Sequence, residues 1–376
     1  MRLLMQLMEP ASSMKAETNA MRQPAPGLSI ALMLSVVFIG IHLPAAELDR
    51  ASMRAAIEKA IPLMQASAEF SLDQRRCFTC HHVAHTSIAA SAAWRRGFEI
   101  DEKNLRQQLR RTRSELTSDV RRFLDGRFST GQADMLGSSL WFLKELGWTA
   151  DSVTADTIRF LVAHDKESSG WEPAAHRPPT VGSKFTTTFL VLQAIQHYGP
   201  SEPDYDIRKR RRKAVEWLEN TTSFDNEDAV HRLRALHLTE SADWKKEGAK
   251  LLAAQRKDGG WAQLPQLNSD AYATGTALSA LVDTGFIKTD SSAYQLGIQF
   301  LLGKQKSDGS WHVNSRTNPT RPFYHSLFPH EHDQFISVSA TAWSTYALLQ
   351  AFPISKQRQQ PYLKLHPVEE KLASSR

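Results

Sequence analysis

Apolar residues recur along most of the chain at the three- and four-residue spacing of amphipathic helices. Strict two-residue alternation, the sign of half-buried strands, is hard to find. Glycine and proline separate the helical stretches from one another. The pattern therefore predicts an all-α protein in which helices are joined by turns.

One class of predicted helix is short and rich in Ala, Ser and Thr. Its members cover residues 86–94, 133–143, 185–195, 226–236, 270–281 and 337–348. A more amphipathic helix precedes each of them, as at 249–255 and 298–304. The chain therefore reads as six helix–turn–helix hairpins in succession.

A hairpin cannot bury its own apolar face, so neighbouring hairpins must stack. Small residues suit an inner ring in which helices crowd near an axis, and amphipathic helices suit an outer ring. We expect an α/α toroid of about six hairpins rather than an open superhelix, because six hairpins close well. Residues 47–148 would form the N-terminal hairpins, 149–353 would complete the toroid, and 354–376 would be a polar tail.

The first 46 residues differ from the rest of the chain. Residues 28–43 carry no formal charge, basic residues precede them, and Pro44-Ala45-Ala46 follows. This layout predicts a secretory signal peptide over 1–46, because a membrane span needs about 20 apolar residues. We expect an exported protein, periplasmic or extracellular, with no membrane span after cleavage. An uncleaved signal anchor is the alternative.

Composition and charge change this picture little. The chain has 376 residues, of which 41% are hydrophobic and 23% charged, and its formal net charge is +6. These values suit one large globular domain. The basic run 207–213 is interpreted as the solvated start of a helix, with contact to phosphates or anionic lipid as the alternative. We therefore expect no nucleic-acid partner, and we expect a monomer.

Two turns share the pattern Q-x-x-D-G-x-W, from Gln255 to Trp261 and from Gln305 to Trp311, and a weaker copy ends at Trp171. These turns resemble the QW motifs of squalene–hopene cyclases and prenyltransferase-type α/α toroids. The resemblance covers roughly residues 152–352. It implies the toroid fold, with the Gln capping a helix end and the Trp packing over it.

The resemblance also implies where a catalytic acid would lie, because the cyclases carry it in an Asp-x-Asp-Asp motif. The nearest match that we identify, residues 267–270, keeps only Asp270. We interpret Asp270 as a helix N-cap, with a catalytic acid as the alternative. Cyclases also line the cavity with aromatics, and the candidates are Trp141, Tyr272, Trp343 and Tyr346. Zinc-dependent protein prenyltransferase chemistry is improbable, since no Cys lies beyond the first hairpin.

The two cysteines lie in Cys77-Phe-Thr-Cys80-His81, which fits the haem c attachment pattern C-x-x-C-H. The thiols would bond the haem vinyl groups, and His81 would ligate the iron. Haem c is attached outside the cytoplasm, which agrees with export. The pattern predicts one covalent haem c, and the alternatives are a disulfide, a redox dithiol, or zinc with His82 or His85 as a further ligand.

The turn of hairpin six, residues 310–336, is the longest and is rich in histidine. In a closed ring it would neighbour the cysteine motif of hairpin one. We expect His330 or His332 to complete the haem site, while Met64 and His176 are weaker candidates. Asp333 stands where Asp270 stands in the preceding unit, so it is interpreted as a helix cap or an acid–base group.

Three functional hypotheses follow from these observations. The first is an exported haem c-binding toroid with a redox or electron-transfer role and a redox partner. The second is a terpenoid cyclase-like enzyme that acts on an apolar polyene. The third is a non-catalytic scaffold that binds a peptide or a glycan.

Overall fold

The computed structural model describes residues 49–74, 80–124, 133–163, 167–173, 175–202, 204–317 and 325–367. These residues form helices and turns, with two isolated β-bridges and no strand. The chain separates into two units, residues 1–44 and 45–376. The predicted signal peptide falls on the first unit, which lies outside the described residues. No described helix is long and apolar enough to cross a membrane.

Six inner helices match the Ala-, Ser- and Thr-rich segments predicted from the sequence. They are α2 (Thr86–Arg95), α4 (Ala133–Leu146), α6 (Lys184–Tyr198), α8 (Asn226–Leu238), α10 (Ala271–Asp283) and α12 (Gln334–Leu349). A π-helical turn, Cys80–His85, leads directly into α2. Nearly every residue of α6, α10 and α12 is buried, as expected for helices enclosed on all sides.

The outer helices alternate with the inner ones along the chain. They are α1 (Arg50–Gln74), α3 (Glu102–Leu124), α5 (Ser152–Ala163), α7 (Tyr205–Asn220), α9 (Trp244–Ala253) and α11 (Ser292–Lys304). They are more amphipathic, and α7, for example, buries only Ile207, Arg210, Ala214 and Leu218. A short last helix, α13 (Tyr362–Leu365), follows the sixth hairpin.

The hairpins close into a ring. Each inner helix contacts the next, from α2 through to α12, and α12 returns to contact α2. The outer helix α11 likewise contacts α1. The α/α toroid predicted from the repeat is therefore confirmed, with hairpin six beside hairpin one.

Small residues let the inner helices approach closely. A Cβ added to Gly137 on α4 would lie 2.7 Å from Leu190 Cβ on α6. One added to Gly275 on α10 would lie 2.8 Å from the backbone nitrogen of Ser344 on α12. Several buried hydroxyls bond within their own helix, as when Thr276 donates to the Tyr272 carbonyl at 2.8 Å and Ser279 donates to the Gly275 carbonyl at 2.6 Å. The Ala, Ser and Thr content is thus what the inner ring requires.

The Trp turns hold hairpins three, five and six together. The indole Nε1 of Trp171, Trp261 and Trp311 donates to the carbonyls of Leu161, Leu251 and Leu301, each at 2.7 Å. These carbonyls lie near the C-terminal ends of the outer helices, where intrahelical donors run out. The indole, and not the Gln side chain implied by the resemblance, therefore caps the outer helix.

The Gln side chains join one hairpin to the next. Gln255 Nε2 donates to the carbonyl of Ala293 on α11 at 2.8 Å, and Gln305 Nε2 donates to that of Ala56 on α1 at 2.8 Å. Gly309 follows Gln305 with φ +92, and a Cβ there would lie 2.7 Å from the Lys59 carbonyl oxygen. The second turn therefore fastens the last hairpin to the first.

The segment after α12 docks on hairpin one. Arg358 Nη1 donates to the carbonyls of Trp94 and Phe98 at 2.9 and 3.1 Å. Tyr362 is buried, and its hydroxyl donates to Glu102 Oε2 at 2.8 Å. The first part of the polar tail is thus packed onto the ring, while residues 368–376 lie outside the described part of the chain.

Candidate active site

An acidic run, Asp225-Asn226-Glu227-Asp228, begins the inner helix α8. Asp225 is the N-cap, and its Oδ1 accepts from the Asp228 backbone N–H at 3.0 Å. Asp228 in turn accepts from the Ser183 hydroxyl at 2.6 Å. Both outer carboxylates of the run are therefore held by polar partners at the mouth of the ring.

Glu227, between them, points into the protein and is buried. Its Oε1 accepts from the Thr186 hydroxyl at 2.9 Å, and its Oε2 accepts from the Tyr272 hydroxyl at 2.8 Å. Burial raises the pKa of Glu227 to about 8, against the opposing effect of these hydrogen bonds. Glu227 is consequently a neutral carboxylic acid at neutral pH.

His231 lies one turn after Glu227 on α8. Its Nδ1 is 3.3 Å from Glu227 Oε1 and 3.0 Å from the Thr186 hydroxyl. Burial lowers the pKa of His231 to about 3, so the ring is neutral and keeps a lone pair. Glu227, Thr186 and His231 therefore form a connected and uncharged acid–hydroxyl–base group.

Aromatic rings surround this group on its inner side. Phe189 lies 5.7 Å from the His231 ring and 5.6 Å from Trp141, measured between ring centroids. Trp343 lies 5.6 Å from Trp141 and 5.5 Å from His85. All three aromatic side chains are buried. The interior of the ring next to His231 is therefore lined by buried aromatic rings.

Arg234 lies beside two of these rings. Its Cζ is 5.8 Å from the Trp141 centroid and 5.6 Å from that of Trp343, and its Nη1 pairs with Asp283 Oδ2 at 2.8 Å. The Tyr346 hydroxyl contacts the other oxygen of Asp283 at 3.3 Å. Of the aromatics predicted to line a cavity, Trp141 and Trp343 thus face a cation of the protein, and Tyr272 contacts the acid.

The turns of hairpins one, three and six meet over the N-terminal ends of the inner helices. Thr317 donates to the Pro178 carbonyl at 3.2 Å, which joins the turn of hairpin six to that of hairpin three. Arg316 pairs with Asp225 at 3.3 Å. His81 Nε2 is hydrogen-bonded to the Thr180 hydroxyl, and its ring packs edge-on against Phe335. The mouth next to Glu227 is thus covered by polar contacts.

Asp270 occupies the N-cap of α10, as the sequence predicted. Its Oδ1 accepts from the Ala273 backbone N–H at 2.9 Å, and its Oδ2 accepts from Gln263 Nε2 at 3.0 Å. Burial raises the pKa of Asp270 to about 6. With both oxygens engaged in local bonds, Asp270 is a helix cap in this structure, and the alternative of a catalytic acid stays a prediction.

Asp333 does not cap α12 through its side chain. Its oxygens instead contact His312 Nε2 at 2.8 Å and accept from the Ser315 backbone N–H at 2.7 Å. His330 stacks on His312 at 4.4 Å and contacts the Ser310 hydroxyl at 2.7 Å. These side chains form a partly exposed cluster that orders the turn of hairpin six.

The cysteine motif falls largely outside the described residues, which exclude Cys77 and the side chain of Cys80. His81, the predicted iron ligand, bonds to Thr180 through Nε2, and the contacts of His330 are those with Ser310 and His312. Within the described part of the chain, no three His, Cys, Asp or Glu side chains are grouped to hold a metal ion. Haem c attachment, with His332 or His330 as a further ligand, therefore stays a prediction. A pyridine haemochrome assay would test it.

The sequence-based search missed Glu227, although a signal was present. Asp225-Asn226-Glu227-Asp228 matches Asp-x-Asp-Asp when Glu is accepted for the middle Asp. The run also precedes one of the six predicted inner helices, where an acid would reach the ring interior. Requiring aspartate alone directed attention to Asp270 instead.

Comparisons with known proteins find similarity to terpene cyclases in sequence and in structure. No protein-family model matches the chain. Over 251 aligned residues, 56% of the chain, it is 24% identical to a terpene cyclase–glycosyl transferase fusion protein of Humicola fuscoatra. The chain spans only 18% of the length of that fusion protein.

Solved structures of type II terpene cyclase MstE from Scytonema are similar in helical arrangement. The unliganded enzyme is 14% identical, with a TM-score of 0.49 over 79% of this chain and 99% of that chain. A variant in complex with geranylgeranyl dihydroxybenzoate gives a TM-score of 0.48 over 80% of this chain and 99% of that chain, again at 14% identity.

The expectation of a redox or electron-transfer role is therefore wrong. The sequence match is to a terpene cyclase–glycosyl transferase fusion protein, and beside the buried aromatic rings burial raises the pKa of Glu227 and lowers that of His231. Both observations favour the cyclase-like alternative drawn from the sequence. The chain is an α/α toroid whose sequence is similar to part of a terpene cyclase–glycosyl transferase fusion protein.

Proposed function

We propose that the protein is a proton-initiated terpenoid cyclase that acts on an isoprenoid polyene, with Glu227 as the acid. The observation that carries this proposal is the buried Glu227 carboxyl, whose pKa of about 8 keeps it protonated beside an aromatic interior. Acid catalysis needs a group that holds its proton until the substrate is in place.

The first step is proton transfer from Glu227 to the terminal group of the polyene. The hydroxyls of Thr186 and Tyr272 hydrogen-bond the two carboxylate oxygens and so stabilise the anion that forms. A neutral carboxyl is a weak acid, so a terminal epoxide oxygen accepts its proton more readily than an alkene does. The substrate class therefore includes polyenes with a terminal epoxide.

The carbocation then closes rings by attack of successive double bonds. Phe189 lies beside His231 and offers an aromatic face to the cation. Loss of a proton to the neutral His231 ends the reaction, and the Thr186 hydroxyl, in contact with both residues, returns that proton to Glu227. Each ring formed consumes one double bond, and the product is an isomer of the substrate.

The test is incubation of the purified full chain with squalene, geranylgeraniol, geranylgeranoic acid and the terminal epoxides of all three, followed by mass spectrometry. We expect a cyclised product with the same mass as its substrate. In D₂O, cyclisation of an alkene-initiated substrate should leave one non-exchangeable deuterium on carbon, whereas cyclisation of an epoxide should leave none, because its proton goes to oxygen. Glu227→Gln should abolish the product. Its matched control is Glu247→Gln, a buried carboxylate that pairs with Arg232 on the outer side of the ring.

The two variants separate chemistry from folding. Glu247→Gln breaks a buried ion pair, so it should lower the melting temperature and leave turnover per folded molecule intact. Glu227→Gln should keep the fold and lose turnover. Equal activity of wild type and Glu227→Gln would overturn the proposal, as would the absence of product from every substrate.

A further inference from the structure

Arg234 shares the interior face of α8 with the acid. Glu227, His231 and Arg234 follow one another at spacings of four and three residues, so they line one side of the helix. Seven residues at 1.5 Å each place Arg234 about 10 Å from Glu227 along the helix axis. A ligand that lies along this face meets the acid at one end and a guanidinium at the other.

The guanidinium of Arg234 has unused hydrogen-bonding capacity. Its Nη1 pairs with Asp283, whereas its buried Nη2 has no hydrogen-bond partner among the described residues. The residue is 7% exposed. A buried donor without an acceptor costs stability, and such donors are rare in folded proteins. The Nη2 group is therefore suited to an acceptor that arrives with a ligand.

A groove at the C-terminal ends of the inner helices carries positive charge. It has a volume of about 700 Å³ and is lined by Arg50, Arg54, Arg96 and Lys356, together with the apolar Phe352 and Ile354, and by no carboxylate. Arg96 lines this groove, and the charge of Asp283, the carboxylate that pairs with Arg234, also acts on it. Such a surface attracts anions that carry an apolar body.

We propose that Arg234 Nη2 binds the carboxylate of the substrate, which makes the substrate a prenylated carboxylic acid. This inference rests on the proposed cyclase function and names its substrate class. A guanidinium matches a carboxylate in geometry and charge. Asp283 and Glu145 lie nearby, the latter accepting from Trp141 Nε1 at 3.1 Å, and their charges disfavour a multiply charged diphosphate.

The binding step has a built-in reporter. The rings of Trp141 and Trp343 lie beside the guanidinium, so a carboxylate that reaches Nη2 changes the surroundings of both indoles. Tryptophan fluorescence therefore measures binding without any turnover. The same titration works in Glu227→Gln, which binds the ligand and does not convert it.

The experiment is a fluorescence titration of the full chain with geranylgeranoic acid, geranylgeraniol and geranylgeranyl diphosphate. We expect the acid to bind at least about tenfold more tightly than the other two ligands, as one charge-assisted hydrogen bond provides. Arg234→Gln should reduce the preference for the acid over the alcohol to less than about twofold. Arg234→Lys should keep part of it.

Asp283→Asn is a control variant that should change the affinity for the acid in the opposite direction to Arg234→Gln. It removes the competing carboxylate and should tighten binding of the acid, while melting curves report on folding. If Arg234→Gln does not fold, Arg234→Lys and Asp283→Asn decide the question. Equal binding of acid and alcohol by the wild type, tighter binding of the diphosphate, or an acid preference that survives in Arg234→Gln overturns the inference.

The two proposals fail separately. Arg234-dependent binding of the acid without turnover of any polyene would leave this inference standing and sink the cyclase proposal. Turnover of neutral polyenes with no preference for the acid would do the reverse.

Discussion

Both ends of α8 bury ionisable groups, but the partners of these groups differ between the two ends. At the N-terminal end, burial leaves Glu227 protonated and His231 neutral. At the other end, the guanidinium of Arg234 pairs with Asp283, and two indole rings lie against it. Burial therefore favours the neutral forms of Glu227 and His231, whereas the buried guanidinium of Arg234 is accompanied by a carboxylate partner.

The largest expected effect concerns the acid end. Glu227→Gln should lower kcat by about 10³-fold or more, because the amide cannot supply the initiating proton. Glu227→Asp should restore part of the rate, since it keeps the carboxyl on a shorter side chain. Product analysis by mass spectrometry checks both. A Gln variant with more than a tenth of wild-type kcat would break the assignment of this end to chemistry.

Substitutions near Arg234, at the C-terminal end of α8, should mainly lower the free energy of unfolding. Trp343→Ala should cost about 3–5 kcal/mol, the usual loss for a buried Trp, because the indole contacts Trp141, His85 and Tyr346. Denaturant unfolding measures this change. Tyr272→Phe at the acid end is the counterpart, and it should cost about 1 kcal/mol for one hydrogen bond. Similar losses in both variants would contradict the comparison.

The pH dependence of stability tests whether Glu227 is protonated in the folded protein. The pKa of Glu227 is raised from 4.5 to about 8, so the folded state holds a proton that the unfolded chain releases. Stability from Glu227 is therefore fully present below pH 4.5 and is lost as the pH rises through 8. Melting temperatures of wild type and Glu227→Gln should diverge across this range, with Gln gaining.

His231 contributes the opposite slope. Its pKa is lowered from 6.5 to about 3, so its stabilising contribution is present above pH 6.5 and is lost as the pH falls through 3. His231→Phe should reduce the acid-induced loss of stability below pH 6.5. An unchanged acid limb in this variant would show that His231 is charged in the folded protein.

The smallest effect is expected at Asp270. Asp270→Asn should change stability by less than about 0.5 kcal/mol and leave turnover within about twofold, because Asn caps helices as well as Asp does. Asp270→Ala should cost about 1 kcal/mol through loss of the cap. If Asn at this position instead removed activity, the acid function would belong to Asp270, and the comparison would have to be redrawn.

The sequence predicted the ring because the helical periodicity and the small-residue content are local properties, and both recur in each of the six hairpins. All six inner helices begin within three residues of their predicted starts. The site was harder to predict, because it depends on which side chains converge. Thr186, Glu227 and Tyr272 come from three different hairpins, and nothing in the local pattern of any one hairpin indicates that their oxygens meet.

The histidine-rich turn illustrates the same limit. Its place beside hairpin one followed correctly from ring closure, and Ser326 accepts from the Ser67 hydroxyl of α1 through its carbonyl at 2.8 Å. The partners of individual histidines did not follow. His330 turns back on its own loop, with a left-handed backbone (φ +79), and this local geometry carries no mark in the spacing of the residues.

The bond from Gln305 to the Ala56 carbonyl repeats the bond from Gln255 to the Ala293 carbonyl. The joint between the last hairpin and the first is thus built like the joint between two successive hairpins. The fold therefore does not depend on which hairpin comes first in the sequence, and the chain termini can be moved to another turn. A circular permutant that links the segment after α12 to α1 and opens at the exposed turn near Glu202 should assemble the same toroid.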